Sequence, residues 1–202
     1  MKEAQLTAAG IVIDVIEGNN LNKVFQKYSQ ENKISPKDIS QIKDLVFGTL
    51  RSYGKTKFVI NKLVKRMPSN TLILSLLHVA LFQLISNRSN SYTVVDQAVS
   101  ASNMINKRHT KFVNGVLRSF LREKVSILDK AEKIDEAKYS YPIWWINLIK
   151  NEYPKSWENI LDIGNSHPPL IIRVNIKKGS ISNYIKKLEK YHIEHLHLGM
   201  EA

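Results

Sequence analysis

Apolar residues recur at helical spacing through the first 128 residues of the chain, and short polar or glycine-containing breaks separate the stripes they form. The run from Leu72 to Ile85 is apolar almost all round, which is typical of a central buried helix. It is too short to span a bilayer. The pattern therefore predicts an all-α bundle of six or seven helices joined by short connections.

Local residue types predict where some of these helices begin and end. Ser69 or Asn70 can cap the long apolar helix at its amino end, and Pro68 is expected to end the short basic helix before it. Gly54 is expected to mark a corner between two helices. Apolar residues at helical spacing predict the last helix of the bundle over about 109–124, where Gly115 is expected to let a neighbouring helix come close.

The pattern changes near residue 129. An aromatic-rich helix is predicted to begin at Pro142, and a second short helix follows it. Pro168-Pro169 then forces an extended entry into a β-branched run over 170–175, which predicts a strand. Ser180 can cap a following helix, and alternation over 191–198 predicts another strand.

Two strands and one helix are too few to close a sheet, so we expect the α/β pattern to continue beyond Ala202. The predicted fold class is mainly α, a helical bundle followed by a small incomplete α/β segment. The predicted organisation is a helical domain over 1–128, a linker over 129–141 and the α/β segment over 142–202.

The chain carries a formal net charge of +12, and the distribution of this charge is uneven. Residues 1–128 hold 19 Lys and Arg against 8 Asp and Glu, whereas residues 129–202 hold 11 against 10. No acidic residue lies between Asp44 and Asp96. A surface that served only solubility would intersperse acids, so the pattern favours a polyanionic partner, either nucleic acid or an acidic membrane. No helix combines aromatic and basic residues along its length, which disfavours the membrane.

Ten basic residues are candidates for contact with nucleic acid. Most lie in the acid-free span or on the last predicted helix of the bundle, and the alternative is a solvated helix face. Arg118 and Arg122 are one turn apart and share a face, although Arg118 could instead pair inside the bundle. Arg173 lies on the predicted strand and is weak evidence alone. The full set is Arg51, Lys55, Lys57, Lys62, Lys65, Arg66, Lys111, Arg118, Arg122 and Arg173.

Other chemistry is poorly supported by the sequence. The chain has no cysteine, which excludes disulfides, thiolate metal sites and a thiol nucleophile within these residues. The three histidines near the end, His192, His195 and His197, match no zinc spacing, so we expect no metal site. Asn114 is expected to be a buried amide, and Trp144 and Trp145 are interpreted as core residues rather than base-stacking residues. The amino end shows no signal peptide, and a cytoplasmic location is expected.

Two segments of the bundle resemble a known family. Asp44-Leu45-Val46-Phe47-Gly48-Thr49-Leu50-Arg51 and Phe112-Val113-Asn114-Gly115-Val116-Leu117-Arg118 look like the signature helices of the NusB-type RNA-binding fold. That fold serves as a free transcription antitermination factor. It also serves as the amino-terminal domain of the bacterial methyltransferases that make 5-methylcytosine in small-subunit ribosomal RNA.

The second part of the chain favours the methyltransferases. Tyr139-Ser140-Tyr141-Pro142-Ile143-Trp144-Trp145 and the segment from Asn165 to Asn175 are similar to the region that joins the two domains of these enzymes. The resemblance implies small-subunit ribosomal RNA as partner, S-adenosylmethionine as cofactor and catalytic cysteines. This chain has neither cysteine nor a G-x-G-x-x-G pattern, so we expect no catalytic or cofactor-binding residue within it and a catalytic domain beyond Ala202. A monomer is expected. The alternative is a non-enzymatic antitermination or RNA-chaperone module.

Overall fold

A computed structural model gives the fold of the chain and describes residues 2–31, 34, 36–87, 89–166 and 168–199. The chain divides into two compact units, residues 1–165 and residues 166–202. Arg88, which belongs to the acid-free basic span, lies outside the described residues.

The first unit is helical throughout, which confirms the predicted all-α bundle. Between α6 and α7 lies a 3₁₀ turn, Lys107–His109. The helices of this unit in the described residues are α1 (Lys2–Ile16), α2 (Leu21–Glu31), α3 (Pro36–Arg51), α4 (Tyr53–Leu63), α5 (Thr71–Ser86), α6 (Ser91–Ile105), α7 (Thr110–Ala131), α8 (Asp135–Tyr139), α9 (Ile143–Glu152) and α10 (Trp157–Asn165).

Helix α5 is the centre of the bundle, as its apolar sequence predicts. Leu76 and Val79 pack into one core with α1, α2 and α3, whereas Leu77, Leu81 and Leu84 pack into another with α4, α6 and α7. All five side chains are at most 1% exposed. A helix that is apolar all round can bury every face only between two layers, so α5 is shared by both cores.

Helix boundaries agree with the sequence at some positions and not at others. The side chain of Asn70 accepts a hydrogen bond from the backbone N–H of Ile73 at 3.2 Å, which confirms one of the two predicted caps of α5. The predicted corner at Gly54 is wrong by two residues, since the break falls at Ser52 and α4 already includes Gly54. Helix α4 ends at Leu63, well before Pro68, and Val64 follows as a buried, extended residue.

The segment over 129–141, which was predicted to be a linker, continues α7 and forms α8. Tyr139 packs with Ile146, Ile149 and Leu161 in a third apolar cluster that joins α8, α9 and α10. Lys150 Nζ and Asp135 Oδ2 lie 2.5 Å apart and tie α9 to α8. These contacts lie within the first compact unit. The domain boundaries predicted at 128/129 and 141/142 remain a prediction.

The second unit contains one helix among its described residues, α11 (Ile181–Lys190). Ser180 caps it, because its side chain accepts from the backbone N–H of Asn183 at 3.2 Å, as predicted. The strands predicted over 170–175 and 191–198 are not formed in this part of the structure. A strand needs the backbone of a neighbouring strand to complete its ladder, and these two segments make no such hydrogen bonds here.

Candidate nucleic-acid interface

Helix α7 presents one buried face and one exposed face. Val113, Leu117 and Phe120 have no exposed surface and hold the helix in the core. The residues on the opposite face follow a spacing of four, three and four, which keeps them in one row along the helix. This row, called the α7 stripe below, consists of Lys111, Gly115, Arg118 and Arg122, all exposed.

Neutral neighbours orient the two arginines of the α7 stripe. Arg118 Nε donates to the side-chain oxygen of Asn114 at 3.1 Å, and an amino group of Arg122 donates to Ser119 Oγ at 2.9 Å. Neither arginine forms an ion pair within the described residues, so the alternative of pairing inside the bundle is not observed for Arg118. The guanidinium groups are therefore held in place while their charge remains uncompensated, which suits them to bind phosphate.

A shallow groove lies beside the α7 stripe, between the first turns of α7 and the connection from α4 to α5. It encloses about 300 Å³. Lys65 and Arg66 line one wall, while Lys111 and Gly115 line the other. The groove thus brings Lys111 next to two predicted contact residues, Lys65 and Arg66, that lie at least 45 positions before it in the chain. Buried Val64 anchors the first wall, and its N–H donates to the carbonyl of Ile60 at 2.8 Å.

Arg51 and Lys62 are exposed, but neither belongs to the α7 stripe or lines the groove beside it. Arg51 is the last residue of α3. The Lys62 ammonium lies 5.5 Å from the centre of the Phe58 ring, which is within the range of a weak cation–π contact. Neither side chain has an acidic partner within the described part of the chain. Both remain free to meet an anion.

Lys55 and Lys57 differ from the other candidates because each is paired with an acid. Lys55 Nζ lies 2.7 Å from a carboxylate oxygen of Glu132, and Lys57 Nζ lies 3.2 Å from one of Glu136. These pairs attach α4 to the end of α7 and to α8. The charge of both lysines is thereby partly neutralised inside the chain, which weakens the argument that they contact phosphate.

Gly54 explains why α4 and α8 come close enough for these pairs. A Cβ atom at this position would lie 2.2 Å from the backbone oxygen of Glu136 and 2.9 Å from Cα of Ser140. The backbone N–H of Lys55 also donates to Ser140 Oγ at 3.3 Å. Only glycine permits this approach of two backbones.

His78 supports α4 from inside the bundle. Its ring Nδ1 lies 2.7 Å from Thr56 Oγ1, and its ring stacks on Tyr53 with the centroids 4.5 Å apart. Burial, with a smaller effect from the charge of Lys57, lowers the pKa of His78 from 6.5 to about 4. The ring is therefore neutral near pH 7 and acts as a structural partner of the basic helix.

The carboxyl half of α7 has mixed charge. A second shallow cavity of about 510 Å³ is lined there by the cations Arg122, Lys124, Lys130 and Lys133 and by the acids Glu123 and Asp129. Lys124 is also engaged within the chain: its Nζ donates to the carbonyl of Leu84 at 2.5 Å and to Asn87 Oδ1 at 2.6 Å. Beyond Arg122 the positive charge of this surface is therefore partly offset by carboxylates.

The last predicted contact, Arg173, lies in the second unit. Its side chain is exposed and the residues around it have no regular secondary structure. It has no acidic partner among the described residues. Nothing in its own unit builds a site around it.

Three residues outside the predicted set behave differently from expectation. Asn114 is half-buried and accepts from Arg118, so the prediction of a buried amide bonded to a neighbouring backbone was wrong. Gly115 does not let a helix come close, because a Cβ atom there would meet nothing within 4 Å. Trp145 packs on the third cluster as expected, whereas Trp144 is 65% exposed. Spacing on α7 could have identified Gly115, since it falls midway between Lys111 and Arg118.

Neither a metal site nor a membrane-spanning helix is present among the described residues. No group of three or more His, Asp or Glu side chains is arranged to hold a metal ion there. None of the helices in that part of the chain is both long enough and apolar enough to cross a bilayer.

Two family models match the chain. Residues 2–122 match the NusB family, which confirms the resemblance read from the α3 and α7 segments. Residues 141–199 match the model described as "Methyltr_RsmF/B-like, ferredoxin-like domain". Residues 123–140 lie between the two matches.

Similar curated proteins come from several bacteria. The chain is 34% identical over 179 residues to the probable ribosomal RNA small subunit methyltransferase B of Coxiella burnetii. It is 33% identical over 185 residues to the ribosomal RNA small subunit methyltransferase B of Yersinia pestis, and 32% identical over 187 residues to that of Proteus mirabilis. The matches cover 86%, 90% and 91% of this chain but 42%, 42% and 44% of those proteins, so the chain spans less than half their length.

Proposed function

Because the chain belongs to the NusB family, we propose that the α7 stripe and the neighbouring groove bind a folded element of small-subunit ribosomal RNA, mainly through its phosphates. The observation that carries this proposal is the convergence of Lys65, Arg66, Lys111, Arg118 and Arg122. These five cations come from two elements, and none has an acidic partner in the described residues. Phosphate contacts of this kind give affinity and orientation rather than base specificity.

The other predicted contact residues are expected to contribute to RNA binding to different degrees. Lys62 and Arg51 are exposed cations that could extend the surface. Lys55 and Lys57 contribute mainly to the packing of α4, because their charge is already paired. Arg173 stays a prediction that rests on sequence alone.

We further propose that this RNA-binding part serves an S-adenosylmethionine-dependent ribosomal RNA cytosine-C5 methyltransferase. The names of the relatives and the second family match, residues 141–199, support this proposal over a free antitermination module. The target cytosine would have to be unpaired or extruded, because a stacked base is inaccessible to a catalytic residue. Action on ribosomal RNA would place the protein in the cytoplasm, and we expect it to act as a monomer.

The residues of this chain do not fit a site for S-adenosylmethionine. Its eight glycines form no G-x-G-x-x-G loop. The two cavities on α7 are shallow, and basic side chains contribute to the lining of both. No cysteine is available as the nucleophile that the resemblance implies. The proposed role of these 202 residues is therefore to bind and orient RNA.

A salt titration tests the proposal. The chain is titrated with a small-subunit ribosomal RNA hairpin and with a scrambled RNA at several salt concentrations. Phosphate binding predicts that the logarithm of the affinity falls linearly with the logarithm of the salt concentration, by about 0.7–0.9 per phosphate contact. The double variant Lys111→Glu, Arg118→Glu should bind at least roughly tenfold more weakly, the change expected for about 1.4 kcal/mol.

The matched control is Lys23→Glu, Lys27→Glu on α2. These two exposed lysines are also spaced one helical turn apart, and the change in net charge is the same. If both double variants lose the same affinity, binding depends on net charge alone and the assignment to the α7 stripe is wrong. Absence of salt-dependent binding by the unmodified chain would contradict the proposed function itself.

A further inference from the structure

Gly115 lies inside α7 without a structural reason for being glycine in the described part of the chain. Glycine in a helix interior costs about 1 kcal/mol relative to alanine, so it usually serves a close contact or a left-handed backbone. Gly48 has such a contact, since a Cβ atom there would lie 2.0 Å from the Phe82 ring, and Gly54 has another. At Gly115 a Cβ atom would meet nothing within 4 Å, and the residue is not in the left-handed region.

The surroundings of Gly115 are positively charged. Lys111 lies one turn before it and Arg118 one turn after it on the α7 stripe, and both are exposed. The groove that Gly115 lines carries Lys65 and Arg66 on its opposite wall. A group that approached α7 from outside at Gly115 would therefore be flanked by four cations. Such a group would have to be an anion.

We propose that the sugar–phosphate backbone of the RNA makes its closest approach to the protein at Gly115, in the gap that the missing side chain leaves between Lys111 and Arg118. This inference rests on the proposed function and names the point of contact. The attraction between two charges falls as their distance grows. A side chain at position 115 would hold the phosphates away from both cations and weaken both contacts together.

The form of the RNA follows from the shape of the surface. The major groove of an A-form duplex is deep and narrow and does not admit a helix. Only one edge of α7 is exposed, because Val113, Leu117 and Phe120 fix its other face in the core. The strand that passes over Gly115 is therefore an unpaired strand or one outer strand of a duplex, held by its backbone.

The test substitutes Gly115 by alanine and by leucine in the full 202-residue chain. Alanine should raise the midpoint of thermal unfolding by about 2–4 °C, because it removes the helix penalty of glycine. The same variant should bind the ribosomal RNA hairpin less tightly, and leucine should reduce the affinity by roughly tenfold or more, as expected when a methylene chain is forced into a packed contact. A gain in stability together with a loss of affinity cannot come from misfolding.

Ser126→Ala and Ser126→Leu are the matched controls. Ser126 is exposed three turns further along the same face of α7, in the cavity where Glu123 and Asp129 partly offset the positive charge. Its variants should change the RNA affinity by less than about twofold, within the range of neutral surface substitutions.

Two results would overturn the inference and leave the proposed function intact. The first is wild-type affinity in Gly115→Leu while Lys111→Glu, Arg118→Glu still weakens binding; the RNA backbone would then not approach α7 most closely at Gly115. The second is an equal loss of affinity in Ser126→Leu and Gly115→Leu. Failure of the unmodified chain to bind RNA would instead remove the proposed function.

Discussion

Thr56 Oγ1 and His78 Nδ1 lie 2.7 Å apart in the interior of the bundle, and they join the basic helix α4 to the central helix α5. The Thr56 hydroxyl donates to the carbonyl of Tyr53 at 3.1 Å, so its oxygen accepts from the Nδ1–H of His78. Burial, rather than this hydrogen bond, favours the neutral imidazole. The positively charged helix α4 is therefore supported from within by a histidine that burial keeps uncharged near pH 7.

This pair predicts that the bundle loses stability at acid pH. The pKa of His78 is lowered to about 4 in the folded chain from 6.5 in the unfolded chain, so between these values only the unfolded chain takes up the proton. Acidification through this window should lower the free energy of unfolding by on the order of 3 kcal/mol, with full stability recovered above pH 6.5. Urea unfolding at pH 4.5, 5.5 and 7 measures this slope. A His78→Gln variant that retained the whole slope would contradict the assignment.

Gly54→Ala should destabilise the first unit. The added methyl group would meet the backbone oxygen of Glu136, which cannot move without displacing α8. The expected loss is about 1–3 kcal/mol in the free energy of unfolding, measured with urea. Gly115→Ala is the matched control, because the same chemical change in open space should stabilise the chain. Equal effects at both positions would show that helix propensity alone decides the outcome.

Lys124→Met should destabilise the carboxyl end of α5. Lys124 donates to the carbonyl of Leu84 and to Asn87, which occupies the left-handed position that ends the helix. Loss of both hydrogen bonds should lower the free energy of unfolding by about 1–2 kcal/mol. Lys130→Met, at an exposed lysine of the same helix, should change it by less than about 0.5 kcal/mol. Thermal or urea unfolding of both variants checks this, and equal losses would contradict it.

Lys55→Gln, Lys57→Gln should affect RNA binding less than Lys111→Gln, Arg118→Gln, although each pair removes two positive charges. The first two lysines already face Glu132 and Glu136, so their ammonium groups are engaged within the chain and are not expected to contact phosphate directly. Because these ion pairs are partly exposed, stability should fall by less than about 1 kcal/mol for each. The measurement is the slope of the logarithm of affinity against the logarithm of salt concentration, compared between the two double variants. An equal change in slope would show that Lys55 and Lys57 also contact phosphate.

Some features of the fold follow from patterns that are local in the sequence. The apolar run of α5 predicts its central place because a helix with no polar face has to be covered on all sides. Asn70 and Ser180 predict caps because a side-chain oxygen at that position satisfies backbone N–H groups only two or three residues away. The row of Arg118 and Arg122 follows from the helical repeat alone.

Contacts between residues that are distant in the sequence could not be predicted from local patterns. The approach of Gly54 to Glu136 and the pairing of Lys55 with Glu132 join residues about 80 positions apart, and no local pattern records them. The β-branched run over 170–175 has strand character, but a strand is defined by its neighbour, and no neighbour is paired with it in the described residues. The expectation that Gly115 packs against a neighbouring helix was wrong, because the sequence does not distinguish a helical glycine that faces another helix from one that faces solvent.

The position of α5 between two cores has a consequence for the dynamics of the bundle. Neither α1–α3 nor the α4 and α7 group can open without exposing apolar surface of α5, and α6 also contributes to both cores through Ala101 and Ala98, so local opening on either side is coupled through these two helices. Amide protons of α5 should then exchange with solvent only through global unfolding and should be the most protected in the chain. The proposed RNA-binding face and the opposite half of the bundle would unfold as one cooperative unit.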